Sequence, residues 1–275
     1  MKTTRLAVLG SPIAHSLSPT LHRTAYDVLG LDWSYESIEL TGADLGDFLR
    51  SRDSSWRGLS LTMPLKRDIL PLLDSVSALA SQAGSANTVL FEGGQRFGFN
   101  TDVYGITEAF ARHGVSRLST VLILGGGATA ASALVAVREL GVRRVFLGVR
   151  SPERASGLVE LARAQGIELL VRDLDALVQI DEPLDAVIST LPNGAEVGIE
   201  LDPDVLSAAT LFDVAYAPWP TPLAATWTGE RVISGLEMLV MQALGQVRIF
   251  ALGDPHGHVD REPDVLAAML ASVDL

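Results

Sequence analysis

Short apolar runs alternate with longer segments whose apolar residues recur at helical spacing, and the alternation continues along the whole 275-residue chain. Residues 5–10, 33–40, 58–63, 86–92 and 96–100 read as strands. The last two are joined by Gly93-Gly94 and form a hairpin. Ser18-Pro19 reads as an N-cap followed by proline at the first helical position, and Gly30 as that helix's stop. Residues 44–52 predict a second helix, 69–82 a mostly helical stretch, and 103–113 a helix ending at Gly114. From residue 118 a second run begins: strand 121–124, helix 128–140, strand 144–149. Ser151-Pro152-Glu153 opens the next helix with a capping residue, a proline and an early acid. Strands at 167–171, 186–191, 211–216 and 232–234 follow, then closing helices at 236–250 and 263–273. Such alternation predicts an α/β protein with parallel sheets and helices on both faces. Domain boundaries are expected near 101–117 and near 235, with the terminal helices returning to the first domain. There is no internal repeat and no low-complexity run.

Composition narrows the functional classes. Hydrophobic residues make up 48% and charged residues 20%, enough apolar material for a packed core and against a disordered chain. Twenty-one basic against 33 acidic residues give a net charge of −12. Nonspecific nucleic-acid binding needs a basic face, and so does docking on anionic lipid, so both partners are argued against. An anionic ligand would need a local positive island. With no cysteine, disulfides, thiolate nucleophiles and Cys-ligated metals are excluded, which fits a reducing cytoplasm. The apolar run before Gly10 is too short for a signal peptide. Residues 118–137 carry no charge over a membrane-spanning length, but Gly125-Gly126-Gly127 interrupts them. A buried strand, a glycine turn and an Ala-rich helix explain them better. The five histidines show no metal-ligand spacing beyond His256-x-His258 in a polar loop, so no metal is expected.

Leu124-Gly125-Gly126-Gly127-Ala128-Thr129-Ala130 fits Gly-x-Gly-x-x-Ala between a buried strand and a helix. Glycines there let the backbone approach a pyrophosphate, which the helix N-terminus receives with free amides. The plain alternative is a glycine-rich packing turn. An NAD site usually places an acid at the end of the second strand, for the ribose hydroxyls. This chain has Gly148-Val149-Arg150-Ser151 instead, with Arg154 nearby. Two guanidiniums and a hydroxyl suit a 2′-phosphate, so NADP is favoured over NAD. Solvated arginines beside a capped helix are the alternative.

Three segments of the first domain hold polar residues where α/β sites form. Ser16-Leu17-Ser18-Pro19 offers two hydroxyls at a helix start, although Ser18 reads equally well as a plain cap. Thr62-Met63-Pro64-Leu65-Lys66 follows an apolar strand, and by base rate Lys66 is a surface lysine. Asn100-Thr101-Asp102 precedes a helix that Asp102 would cap.

Together with the glycine loop, these segments resemble the shikimate dehydrogenase family. The matching stretches are Ser16–His22, Thr62–Lys66, Gly84-Ser85-Ala86-Asn87-Thr88, Asn100–Asp102, Asp213-Val214-Ala215-Tyr216, Thr221-Pro222-Leu223 and Gly235–Ala243. They run in order over nearly the whole chain. Arg23, Ser60 and Ala131 stand where the family commonly has Asn, Asn and Arg.

The resemblance implies NADP-dependent reduction of 3-dehydroshikimate to shikimate, a step toward chorismate and aromatic amino acids. It implies an N-terminal α/β substrate domain with a mostly parallel sheet (1–101 plus 237–275) and a Rossmann-like dinucleotide-binding domain (102–236). Lys66 and Asp102 would be the catalytic pair. Ser16, Ser18, Thr62, Lys66, Asn87, Asp102, Tyr216 and Gln242 would line the substrate pocket. Gly125, Gly126, Gly127, Ala128, Thr129, Ala130, Arg150, Ser151, Arg154, Val214 and Gly235 would contact NADP. The expected partner is the small-molecule substrate, and the chain a monomer or homodimer. The alternatives are a quinate/shikimate dehydrogenase using NAD or NADP, and a non-catalytic dinucleotide-binding regulator. The regulator would need the glycine loop but not the lysine–aspartate pair.

Overall fold

The computed structural model describes residues 4–192 and 199–275. Residues 1–3 of the amino-terminal run, weighed above against a signal peptide, lie outside them. The first part of the chain forms β1 (Thr4–Gly10), α1 (Ser18–Leu29), β2 (Trp33–Glu39), α2 (Gly42–Arg50) and β3 (Trp56–Leu61). Then come α3 (Leu65–Asp68), β4 (Ser75–Val76), α4 (Ala78–Ala83), β5 (Thr88–Glu92), β6 (Gln95–Phe99) and α5 (Asp102–Arg112). Next are β7 (Thr120–Leu124), α6 (Ala128–Glu139), β8 (Arg144–Val149), α7 (Ser156–Ala164), β9 (Glu168–Asp173) and β10 (Ala186–Ser189). The chain closes with α8 (Pro203–Ala208), β11 (Thr210–Asp213), α9 (Pro222–Thr226), β12 (Val232–Ser234), α10 (Gly235–Leu252) and α11 (Glu262–Ala271).

The chain divides into two units, Met1–Gly105 with Leu239–Leu275, and Ile106–Met238. Both divisions fall inside helices, α5 and α10, rather than in linkers.

In the first unit six strands lie in the order β2-β1-β3-β5-β6-β4. β1 runs parallel to β2 and β3, while β5 is antiparallel to β3 and β6 through the expected hairpin. Leu9 pairs with Leu61, so β1 and β3 end side by side, and the segments carrying Ser16 and Thr62 leave from neighbouring strand ends. The core packs Ala7, Leu9, Leu59, Leu61 and Val89 against Leu45, Leu65 and Ile69.

In the second unit the order is β12-β11-β10-β7-β8-β9, every pair parallel. A parallel sheet covered on both faces needs strands apolar throughout, which is why 121–124 shows no polar alternation. Those four residues are at most 1% exposed. The strand order reverses at β7, and the crevice beyond that strand is where open α/β sheets bind ligands. Helix α10 has the length and hydropathy of a membrane span, but 72% of it is buried inside the protein, as for a core helix.

Three local expectations need correction, and a fourth needs refinement. The stretch 69–82 is helical in two pieces, a 3₁₀ turn at 70–72 and α4, with β4 between them. Pro71 lacks an N–H and stops α3 in a short 3₁₀ turn, 70–72. Asp74 Oδ2 then accepts from Arg96 N and Nε at 2.8 and 3.1 Å, and the next residues become β4, paired with β6. Ser18 is not the N-cap of α1: Leu17 holds that position without a side-chain cap, and Ser16 Oγ accepts the Ser18 N–H at 3.3 Å. Ser151 makes no capping bond either, because the chain first forms a 3₁₀ turn, 152–154, and α7 starts only at Ser156. Asp102 does not cap α5. Asn100 Oδ1 takes both the Asp102 and the Val103 N–H, at 3.0 and 3.3 Å.

Candidate active site and dinucleotide loop

In the first unit, Lys66 is presented by α3, a single turn set immediately beyond β3. The Leu65 N–H closes that turn on Thr62 O at 2.8 Å, and the Lys66 carbonyl accepts from Ala86 N at 2.8 Å. Both backbone anchors leave the side chain free to extend. Its Nζ donates to Asp102 Oδ2 at 2.7 Å. The Lys66 side chain is 13% exposed and that of Asp102 3%. Because Asn100 satisfies the first amides of α5, the Asp102 carboxylate is available to face Lys66. At that burial a charge pair is held strongly only if its remaining lone pairs find donors. Asn87 Nδ2 supplies one, to Asp102 Oδ1 at 2.9 Å.

Asn87 itself is held from several sides. The Thr101 N–H, an unambiguous donor, meets its Oδ1 at 2.9 Å, so its amide nitrogen must face Asp102. The same nitrogen lies 3.3 Å from Gln242 Oε1. The orientation of Gln242 is set in turn, because its Nε2 donates to Leu239 O at 2.7 Å. Four of the predicted residues, Lys66, Asn87, Asp102 and Gln242, therefore form one hydrogen-bonded cluster. Ser16, Ser18 and Thr62 are not bonded to it. They stand on the segments that follow β1 and β3, and the hydroxyl of Ser18 takes no partner among the described residues.

Tyr216 belongs to the second unit, on the turn after β11, where burial pushes its phenol up. That turn is held by Asp213, whose Oδ2 accepts from Thr221 Oγ1 at 2.6 Å and whose Oδ1 accepts from Ala215 N at 3.2 Å. Burial raises the Asp213 carboxyl, and these bonds oppose the rise. Val214 lies on the same turn, packed against Gly235. A Cβ at Gly235 would lie 2.9 Å from Val214 Cα and closer still to its carbonyl, so only glycine fits.

The glycine loop leaves β7 with Gly125 at φ +104°, in the region that favours glycine. A side chain there would also meet Thr190 Oγ1 at 2.6 Å. Thr190 holds the loop by donating to Leu124 O through both N and Oγ1, each at 2.8 Å. Helix α6 has no side-chain cap and no acid in its first turn, which leaves the amides of Ala128, Thr129 and Ala130 without a competing anion. Elsewhere in this unit Asp173, Asp202 and Thr221 cap their helices. Arg150 and Arg154 are exposed and make no ion pair among the described residues. An uncapped N-terminus, close backbone approach and two uncommitted guanidiniums fit a dinucleotide with an extra phosphate.

Sequence reasoning missed Thr190, the capping role of Asn100, and Gln246. Asn100 stood in a recognised motif without a role. Gln246 lies one helical turn beyond Gln242, a spacing that puts both on one face of α10.

An all-parallel sheet with such a loop at its switch point, and a lysine–carboxylate pair in a separate polar cluster, define a dinucleotide-dependent oxidoreductase. The model of the shikimate dehydrogenase substrate binding domain matches residues 8–89. The shikimate dehydrogenase (NADP(+)) of Ignicoccus hospitalis is 32% identical, covering 97% of this chain and 98% of its own. Mycobacterium tuberculosis shikimate dehydrogenase is 36% identical, with a TM-score of 0.85 over 98% of this chain and 99% of its own. The shikimate 5-dehydrogenase of Thermus thermophilus, in complex with NADP(H) and shikimate, is 31% identical, with a TM-score of 0.82 over 98% of this chain and 100% of its own. The chain belongs to the shikimate dehydrogenase family.

Proposed function

We propose that this protein is a cytoplasmic, NADP-dependent shikimate dehydrogenase that reversibly reduces 3-dehydroshikimate to shikimate. The observation that carries the reading is the 2.7 Å Lys66–Asp102 pair, set among neutral amides in a chain of this family. NADP, when bound, supplies or accepts the hydride. As hydride reaches the carbonyl carbon, negative charge grows on its oxygen. A cationic Lys66 beside that oxygen stabilises the charge and donates the proton that completes the alcohol. In the oxidative direction the amine takes the hydroxyl proton. Asp102 holds Lys66 in place and accepts from the neighbouring substrate hydroxyl. Asn87 and Gln242 each carry a donor and an acceptor, suited to a polyol ring. Ser16 and Ser18 receive the substrate carboxylate with hydroxyls, which avoids burying another cation, and Thr62 lines the same pocket.

In the second unit, Gly125, Gly126, Gly127, Ala128, Thr129 and Ala130 would receive the pyrophosphate. Arg150, Ser151 and Arg154 would receive the 2′-phosphate, with Val214 and Gly235 against the nicotinamide end. The test is a spectrophotometric assay of NADP reduction with shikimate, run beside NAD and quinate. Turnover fastest with shikimate and NADP is expected. A marked preference for quinate with NAD, or no turnover with any pair, would overturn the reading.

A further inference from the structure

Behind the Lys66–Asp102 pair lies a second polar layer that the proposed chemistry does not use. Gln246 sits in it, 2% exposed. Its Nε2 donates to the Asn87 backbone carbonyl and to Thr88 Oγ1, each at 3.2 Å. The carbonyl can only accept, which fixes which end of the Gln246 amide faces it. Gln246 Oε1 then faces the other way and accepts from Ser60 Oγ at 2.7 Å and from His22 Nε2 at 3.0 Å. Ser60 accepts in turn from the Tyr35 hydroxyl at 2.7 Å. His22, with its proton on Nε2, accepts at Nδ1 from the Tyr26 hydroxyl at 3.1 Å. The imidazole also stacks on the Tyr35 ring, centroids 4.1 Å apart and 8° from parallel.

Every bond in this layer therefore has one direction. Flipping Gln246 would set N–H against N–H at His22 and C=O against C=O at Asn87, and at this burial such a mismatch is costly. The consequence runs forward. Thr88 Oγ1 receives the Gln246 N–H, so its own proton goes to Asn87 Oδ1 at 2.8 Å. Asn87 Oδ1 is then filled by Thr88 and the Thr101 amide, and its nitrogen is left to donate to Asp102 Oδ1 and Thr101 Oγ1, each at 2.9 Å.

We propose that Gln246, acting through Thr88 and Asn87, is a positioning residue that sets where the Asp102 carboxylate meets Lys66. The proposal rests on the dehydrogenase reading above. Gln246 does not touch the pair. Through Thr88 and the Asn87 carbonyl it adds a second constraint, beside the Thr101 amide, on the placement of the group that does. Small displacements at a reacting centre cost turnover steeply, so the effect falls on kcat.

The experiment begins with the wild-type protein. If it fails to reduce NADP with shikimate, the dehydrogenase reading fails before this one is reached. With an active wild type, Gln246→Met keeps the side-chain length and removes every hydrogen bond. Thr88→Val keeps the shape and removes the relay. Each is expected to lower kcat about tenfold or more while KM for NADP stays within about twofold. Thr88→Ser, which restores the hydroxyl, is expected within about threefold of wild type, and the Thr88→Val/Gln246→Met double variant no slower than its slower parent. Should Gln246→Met fail to fold, the Thr88→Val and Thr88→Ser pair decides alone. The proposal is overturned if the folded variants keep kcat within about twofold of wild type, if only Tm changes, or if the two losses multiply in the double variant.

Discussion

Replacing Lys66 by methionine separates chemistry from stability, because the structure pairs Lys66 with Asp102 while the proposed mechanism sets it against the substrate oxygen. Methionine keeps the length of the apolar stem and removes the ammonium from its 2.7 Å contact with Asp102. Breaking a buried pair from one side costs roughly 3–5 kcal/mol, since the remaining charge is stranded. Here Asp102 retains the Asn87 donor at 2.9 Å and Lys66 is partly exposed, so the low end applies, about 3 kcal/mol. In a protein of this size that lowers Tm by about 5–10 °C. The activity loss has another origin. If Lys66 stabilises the developing oxyanion and donates its proton, as proposed, its removal should cost on the order of 10³ in kcat. Adding Asp102→Asn tests the division. Asparagine can still accept from Asn87 and leaves no stranded charge, so the double variant should recover about 2 kcal/mol of stability. It should recover no activity. Steady-state NADP reduction, thermal melts and shikimate titration calorimetry measure the three quantities. A Lys66→Met protein that turns over within tenfold of wild type removes Lys66 from the chemistry. A double variant that regains both stability and turnover shows that the single variant's inactivity was structural.

Other expectations follow from single features. Arg150→Ala should raise KM for NADP about 30-fold, the worth of a charge-assisted phosphate contact, and leave KM for NAD within about threefold; equal losses for both would remove Arg150 from the 2′-phosphate. Gly235→Ala should raise KM for NADP and cost roughly 1–3 kcal/mol, since backbone faces the new methyl and cannot yield; a wild-type melt would show that Val214 moves freely. Burial, partly opposed by the Gln246 hydrogen bond, holds the imidazole of His22 down at about 3. The unfolded chain takes up that proton below about pH 6.5 and the fold does not, so stability is full above 6.5 and falls as pH drops toward 3, by at most about 1.4 kcal/mol per unit. Hydrogen-exchange protection of β1 amides should therefore fall between pH 7 and pH 5 by about 2 kcal/mol more in wild type than in His22→Gln, and parallel losses would contradict the burial argument.

What the chain disclosed in advance follows from how local each signal is. β8 ends where its apolar run predicts, because a strand buried on both faces is apolar until it leaves the sheet. The glycine loop was equally legible, since φ at Gly125 and the open start of α6 are properties of adjacent residues. The missed features depend on residues far apart. The stretch 69–82 has helical composition, but Asp74 is tied to Arg96 across the hairpin. Ser18 and Asp102 each look like a cap, yet each is already inside its helix, with its own N–H accepted by Ser16 or Asn100 two residues earlier. No periodicity pairs Lys66 with Asp102, which are 36 positions apart, and only ordered family motifs pointed to them. Gln246 reads as one more polar residue on an apolar helix until its neighbours are in place.

The placement of charge follows one logic in both units. A chain of net charge −12 that, on the proposed function, holds an anionic substrate and an anionic dinucleotide has two ways to do so: add cations, or withhold acids. The second unit withholds acids. The first turn of α6 has none, and Arg150 and Arg154, just beyond β8, are left uncommitted among the described residues while Arg144 at the start of β8 is tied to Glu168 and Glu182. The first unit uses neutral groups instead. Its one ammonium in the cluster is matched by one carboxylate, and the surrounding donors are amides and hydroxyls whose directions are fixed by backbone groups at Thr101, Asn87 and Leu239. A cation added there would hold substrate more tightly before and after reaction alike, which does not accelerate the chemical step. On the proposed mechanism, a fixed array of dipoles around a single mobile proton places its strongest interaction at the oxygen where charge develops.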